Sequence, residues 1–194
     1  MNAFVLSMVL AVAAAPQEKP VVYAWFPRDM NDWDTSRIDW PSITHLCLRS
    51  VVLQPDGSLK PGWNVQRMAE VVREARRRGV KVTVLAWGTD SKNSSIYLAR
   101  HPEKTVQALL EFVKAHDLDG VNIDDETWRE KNEDTGGPNR ELVTRFFRIL
   151  REKFKAARAD YHLTYASPGV ISPLDKYGDA WIDYKAVADL VDGF

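Results

Sequence analysis

Leu118-Asp119-Gly120-Val121-Asn122-Ile123-Asp124-Asp125-Glu126 decides how the chain is read. Val121 and Ile123 alternate with Asn122, Asp124 and Glu126, the period-two pattern of a strand with two unlike faces. One face is apolar. The other carries an amide and two carboxyls that step toward the C-terminal end of the strand. Polar groups on a buried face are costly unless something uses or satisfies them. Acids at the C-terminal end of a strand, with helices before and after it, sit where α/β barrels keep their chemistry. Neighbouring strand residues face opposite ways, so Asp124 and Glu126 share a face that Asp125 does not.

Strands and helices alternate outward from this stretch. Upstream, residues 21–26 and 43–53 are apolar strand-like runs, and Gln54-Pro55-Asp56-Gly57-Ser58 is a turn by its chemistry. Residues 65–78 form an amphipathic helix with a Met68, Val71, Val72, Ala75 stripe, stopped at Gly79. A strand over 80–87 follows. Pro102 opens the next helix at the position where proline is best tolerated, with Val106, Leu109, Leu110 and Val113 on its inner face. Downstream, residues 129–138 are a charged loop, and 142–157 a long helix with Leu142, Phe146, Ile149 and Leu150 on one face. Residues 162–166 are a strand, 181–190 a helix, and 191–194 the start of a sixth strand. Such alternation argues for parallel β/α units, in a barrel or in an open doubly wound sheet.

The chain has 194 residues, enough for one domain with a sizeable core. A formal net charge of -1 gives no reason to expect a nucleic-acid partner. The one cysteine, Cys47, lies in an apolar run and reads as a small buried hydrophobe. The four histidines have no ligand spacing, so no metal site and no cofactor is expected. Residues 1–15 are an apolar run ending in three alanines, similar to a secretory signal peptide, and 16–20 a polar linker. The expectation is a secreted, periplasmic or lumenal monomer, free of the membrane after cleavage, with Asn93-Ser94-Ser95 open to glycosylation.

The stretch 119–126 resembles the D-G-x-D-x-D-x-E signature of glycoside hydrolase family 18, the chitinases and their relatives. Asp119, Gly120, Asp124 and Glu126 match it; Asn122 stands where most of the family has Asp, a form similar to the di-N-acetylchitobiase branch. The resemblance implies an α/β fold of the (β/α)8 TIM barrel type, with residues 21–194 as the catalytic domain, truncated within the sixth strand. It implies a glycosidase acting on β-1,4-linked N-acetylglucosamine: chitin, chito-oligosaccharides or an N-glycan core. In this family the substrate's own acetamido group attacks the anomeric carbon. Glu126 is then the general acid and later base, and Asp124 orients the acetamido N–H. With Asp124 ionised beside it, and with burial acting the same way, Glu126 is expected to stay protonated above the usual carboxyl range. Asn122 cannot share a proton and is expected to donate a hydrogen bond to Asp124. Asp119 and Gly120 are expected to be structural.

Aromatic rings are expected to wall the sugar site: Tyr23 and Trp25 on the first strand, then Trp128 and Tyr165. Core packing is the competing role for each. The family's Met-x-Tyr segment and tryptophan floor, both on later strands, have no match within the sequence. Two rival readings remain: a non-catalytic carbohydrate-binding relative of the same family, and a metal-dependent enzyme using Asp124, Asp125 and Glu126.

Overall fold

Five parallel strands succeed one another across a sheet that rolls up on itself. The structure, a computed structural model, describes residues 20–26, 35–62, 65–88, 95–127, 130–168 and 182–194. The elements in chain order are β1 (Tyr23–Phe26), β2 (His45–Leu53), β3 (Leu59–Pro61), α1 (Val65–Arg77), β4 (Lys81–Trp87), α2 (Ser95–Ala99), α3 (Pro102–Ala115), β5 (Gly120–Asp124), α4 (Asn139–Ala157), β6 (His162–Ala166) and α5 (Tyr184–Ala188). The strand order is β1-β2-β4-β5-β6, all parallel, with β3 antiparallel on β2.

This order separates the two architectures that alternation alone leaves open. A doubly wound sheet reverses its strand order at a switch point, whereas here each parallel strand is added beside the last. In a flat sheet, β1 and β6 would lie about 19 Å apart, four strand spacings. Instead the rings of Tyr23 on β1 and His162 on β6 stack with centroids 5.5 Å apart. The sheet is therefore strongly curled, as the first part of a (β/α)8 barrel requires.

The curl gives each strand an inner and an outer face. Leu46, Leu48, Val82, Val84, Ala86, Val121, Ile123 and Leu163 point outward and are buried with the helices. Against them pack Met68, Val71, Val72 and Ala75 of α1 and Val106, Leu109, Leu110 and Val113 of α3, the stripes their spacing predicts. In α4 the buried stripe is Val143, Phe146, Phe147, Leu150 and Phe154, while Leu142 and Ile149 are only half-buried. The helix begins at Asn139, three residues earlier than the apolar periodicity suggests. The inward face is polar by comparison: Tyr23, His45, Cys47, Thr83, Asn122, His162 and Thr164 converge there.

Two elements were not legible as such. The turn at 54–58 continues into β3, a three-residue strand that doubles back on β2. α2 is a five-residue helix. At the other end, residues 190–194 run along the free edge of β6, where Tyr165 N donates to Gly193 O at 3.1 Å and Asp192 N to Leu163 O at 2.6 Å. The signal-peptide and glycosylation expectations fall on residues 1–15 and Asn93, outside the described residues.

Gly120 lets β5 approach β6. A Cβ there would land on the His162 carbonyl, 2.7 Å from its carbon. Gly79 is different: it ends α1 at φ +71 with nothing within 4 Å of a Cβ. Gly120→Ala should therefore cost ~3 kcal/mol or more, and Gly79→Ala only about 1–2 kcal/mol of backbone strain. Urea unfolding of the two variants checks this; equal losses would show that the β5–β6 approach is not the constraint.

Candidate active site

Asp124 ends β5, on the inward face and in register with Trp87 of β4 and Ala166 of β6. It is half-buried, while Glu126, two residues on, is exposed. Burial pushes the Asp124 carboxyl up to about 6, and the charges of Glu126 and Asp125 add to the rise. Among the described residues, one cation opposes them. Arg49 of β2 acts on Asp124 through space, with its guanidinium 4.7 Å from the centre of the Trp87 ring. The sequence argument placed burial on Glu126. The structure corrects this: Asp124 lies below the mouth of the strand, whereas Glu126 has left it and meets water.

Asn122 is buried one layer deeper. Its amide donates to Thr164 Oγ1 at 2.7 Å and not to Asp124. Strand register explains the correction, since Thr164 lies directly across from Asn122 on β6. Asp124 is two residues up the same strand, about 6.6 Å away along it. Asn122 Oδ1 is enclosed without a hydrogen-bond partner. Asp119 lies at the foot of β5, where it accepts from Val82 N at 2.8 Å and pairs with Arg158 at 3.2 Å. It ties β4 to β5 and is remote from the mouth.

Asp125 turns the other way, into the helix layer, and is 1% exposed. Its carboxylate accepts from Thr127 Oγ1 at 2.6 Å, and Thr127 Oγ1 in turn accepts from Ser95 N at 2.8 Å. Ser95 Oγ donates to Asn139 Oδ1 at 2.6 Å. The residues on both sides of Glu126 are thus anchored by a buried chain of hydrogen bonds reaching α2 and the first turn of α4. Sequence reasoning missed this network, because Ser95 and Asn139 are distant in sequence from the acids they support. It missed Arg49 as well, although the inward parity of β2 was a usable signal.

The expected sugar walls separate into different environments. Tyr23 stacks on His45 at 4.8 Å and lies 5.7 Å from Trp25. Its buried hydroxyl is near Thr83 and Thr164 without completing a hydrogen bond, and burial raises its pKa. Trp25 is 56% exposed at the rim. Both line a cavity of about 290 Å³ with Asn122, Thr164 and Phe194. Tyr165 sits on the outer face of β6, fully buried, with its ring 4.5 Å from Phe147 and its hydroxyl donating to Asp125 O at 3.2 Å. It has the opposite parity to Thr164 and supports the acidic loop from behind, while also bordering that cavity. Trp128 lies outside the described residues.

The raised Asp124 makes a stability prediction. Below about pH 3 the carboxyl is protonated in folded and unfolded chains alike. As pH rises toward about 6 the unfolded chain ionises first, so the fold loses stability, and above that the whole cost is present. A rise of this size corresponds to ~3 kcal/mol if fully buried; with Asp124 half in water, about 1–2 kcal/mol is expected. Asp124→Asn should raise Tm by about 2–6 °C at pH 7.5 and by much less at pH 4. Melting curves at both values decide it, and an equal rise at both would rule the account out.

Three solved structures share this arrangement of strands. The Group IV chitinase of Ostrinia furnacalis superposes with a TM-score of 0.69 at 19% identity, over 89% of this chain and 49% of that one. A chitinase from Bacteroides thetaiotaomicron gives 0.60 at 22%, over 75% and 45%. A chitinase-like agglutinin from Robinia pseudoacacia gives 0.63 at 14%, over 88% and 52%. The chain thus spans about half the length of these relatives. At such identities the likeness is one of fold. No curated protein matches the chain. A family model does, across residues 21–194, which takes in every element of the sheet and the acids of β5: the chain belongs to the glycosyl hydrolases family 18.

Proposed function

We propose that the protein carrying this chain is a retaining glycosidase of β-1,4-linked N-acetylglucosamine, acting through the substrate's acetamido group. The observation that carries this reading is the placement of two unlike carboxyls at one strand end: Asp124 half-buried on the inward face, Glu126 exposed two residues further on. Glu126 can reach a glycosidic oxygen from the solvent side and protonate it as the bond to C1 breaks. The acetamido carbonyl oxygen forms the new bond to C1, and Asp124, ionised, accepts the acetamido N–H and offsets the positive charge of the oxazolinium-like ring. Water then opens that ring, giving its proton to Glu126 and restoring the carboxylic acid. Two displacements at C1 preserve the anomeric configuration.

Asn122 favours short, soluble oligosaccharides of the chitobiase kind, by its motif. Trp25, exposed beside the cavity, is the aromatic best placed to stack on a pyranose face. The run at residues 1–15 fits export, and a monomer suffices for this chemistry.

Glu126→Gln removes the acid at nearly constant shape. In a fluorogenic chitobioside assay it should lower kcat by about 10³ or more, with binding of the oligosaccharide retained. In the wild-type protein, kcat/KM should fall as pH drops through about 6, where Asp124 takes up its proton. If both proteins bind the sugar alike and neither hydrolyses it, the carbohydrate-binding reading replaces this one.

A further inference from the structure

Among the described residues, Arg49 is the cation that acts on Asp124 at the end of β5. β2 carries it on the inward face, in register with Leu85 of β4. Its guanidinium then leans up over the ring of Trp87, 4.7 Å from the centroid. Trp87 is the direct cross-strand neighbour of Asp124. The guanidinium thus rests on the ring of the residue paired with Asp124. The Arg49 Nε is buried without a hydrogen-bond partner, an arrangement that costs free energy unless the charge interacts with something else.

Among the described residues, the surroundings of Asp124 leave that role open. On its own strand end the ionisable groups are Asp125 and Glu126, both of its own sign. From β2 come Arg49 and the buried thiol of Cys47, which burial pushes up to about 12 and so keeps uncharged. β4 brings Leu85 and Trp87, without a charge. From β6 comes Tyr165, whose hydroxyl is turned to the carbonyl of Asp125 and raised by burial. Asn122, where an acid or a donor could have acted on Asp124, is bonded to Thr164 instead.

We propose that Arg49 is a positioning residue of this site: stacked on Trp87 and facing Asp124, its positive charge keeps Asp124 a carboxylate able to accept the substrate N–H. This rests on the reading of Asp124 given above, but it concerns the protonation of one side chain and is measurable without turnover. Arg49 acts through Asp124 and touches no reacting atom.

The test is a carboxyl ¹³C NMR titration of the chain labelled at aspartate, with Asp124→Asn identifying the signal. The wild-type Asp124 midpoint is expected at about 6. Arg49→Gln should move it up by about one pH unit, a tenfold change in the ionised ratio. Arg49→Met, which keeps the aliphatic stem on Trp87, should do the same and serves if the first variant does not fold. Arg49→Lys restores the charge and should recover at least half of the shift. An Asp124 midpoint unmoved in a folded neutral variant, or a lysine variant that titrates like the neutral ones, would overturn the proposal. Hydrolysis assayed beside the titration separates the two readings. Turnover with an unmoved midpoint sinks the role of Arg49 alone; a shifted midpoint without turnover sinks the glycosidase and leaves the coupling standing.

Discussion

The approach of β5 to β6 is the constraint on which the site depends. β5 has to lie between two parallel neighbours while its inward residues face a curled interior. At Gly120 the His162 backbone occupies the space of a Cβ, so only glycine permits that register. The register then places Asn122 opposite Thr164 and Asp124 beside Trp87. A shift of one residue would exchange the faces, send Val121 and Ile123 into the interior, and bury the acids against α3 and α4. Asp119 reinforces the same register from below, since its carboxylate accepts from the Val82 amide of β4 and pairs with Arg158.

Much of this was legible because it follows from periodicity. Alternation along 121–126 separates the apolar from the acidic face, and the stripes of α1 and α3 are the ones observed. The strand order was not legible. Barrel and doubly wound sheet share one alternation of elements, and only pairing tells them apart. Nor could the sequence show how burial divides between two carboxyls two residues apart. The strand ends at Asp124, so the first acid stays in the sheet and the second leaves it. Asn122 shows the same limit: its chemistry as a donor was readable, but its partner depended on which residue of β6 lay across from it. Tyr165, read as an aromatic near the site, has the opposite parity to Thr164, and its support of the loop through its hydroxyl was not readable from spacing.

Three consecutive acids could make a strand end that repels itself, and the structure limits this by separating them. Asp124 faces the interior, Asp125 the helix layer, and Glu126 the water. Asp125 accepts a hydrogen bond from Thr127 and thereby fixes the backbone on either side of Glu126. Glu126 is screened by solvent. Asp124 retains the least help, being half-buried, with the like charges of Asp125 and Glu126 directly after it in sequence. Its raised proton affinity records a local cost of the kind that folds tolerate at sites of chemistry.

Asn122 bears on how large that cost is. A carboxylate one layer below Asp124 would add a second like charge on the inward face, or would have to share a proton. The amide does neither, and it donates across to Thr164 on β6 and not up its own strand to Asp124. Control of the Asp124 charge therefore passes from its own strand to a side chain two strands away. An arginine suits that distance because its planar guanidinium can rest on Trp87, which a lysine ammonium cannot match in fixed orientation. The inward parity of β2 is thus coupled to the protonation of β5, and the acids are understood only with the cation that the curl of the sheet brings over them.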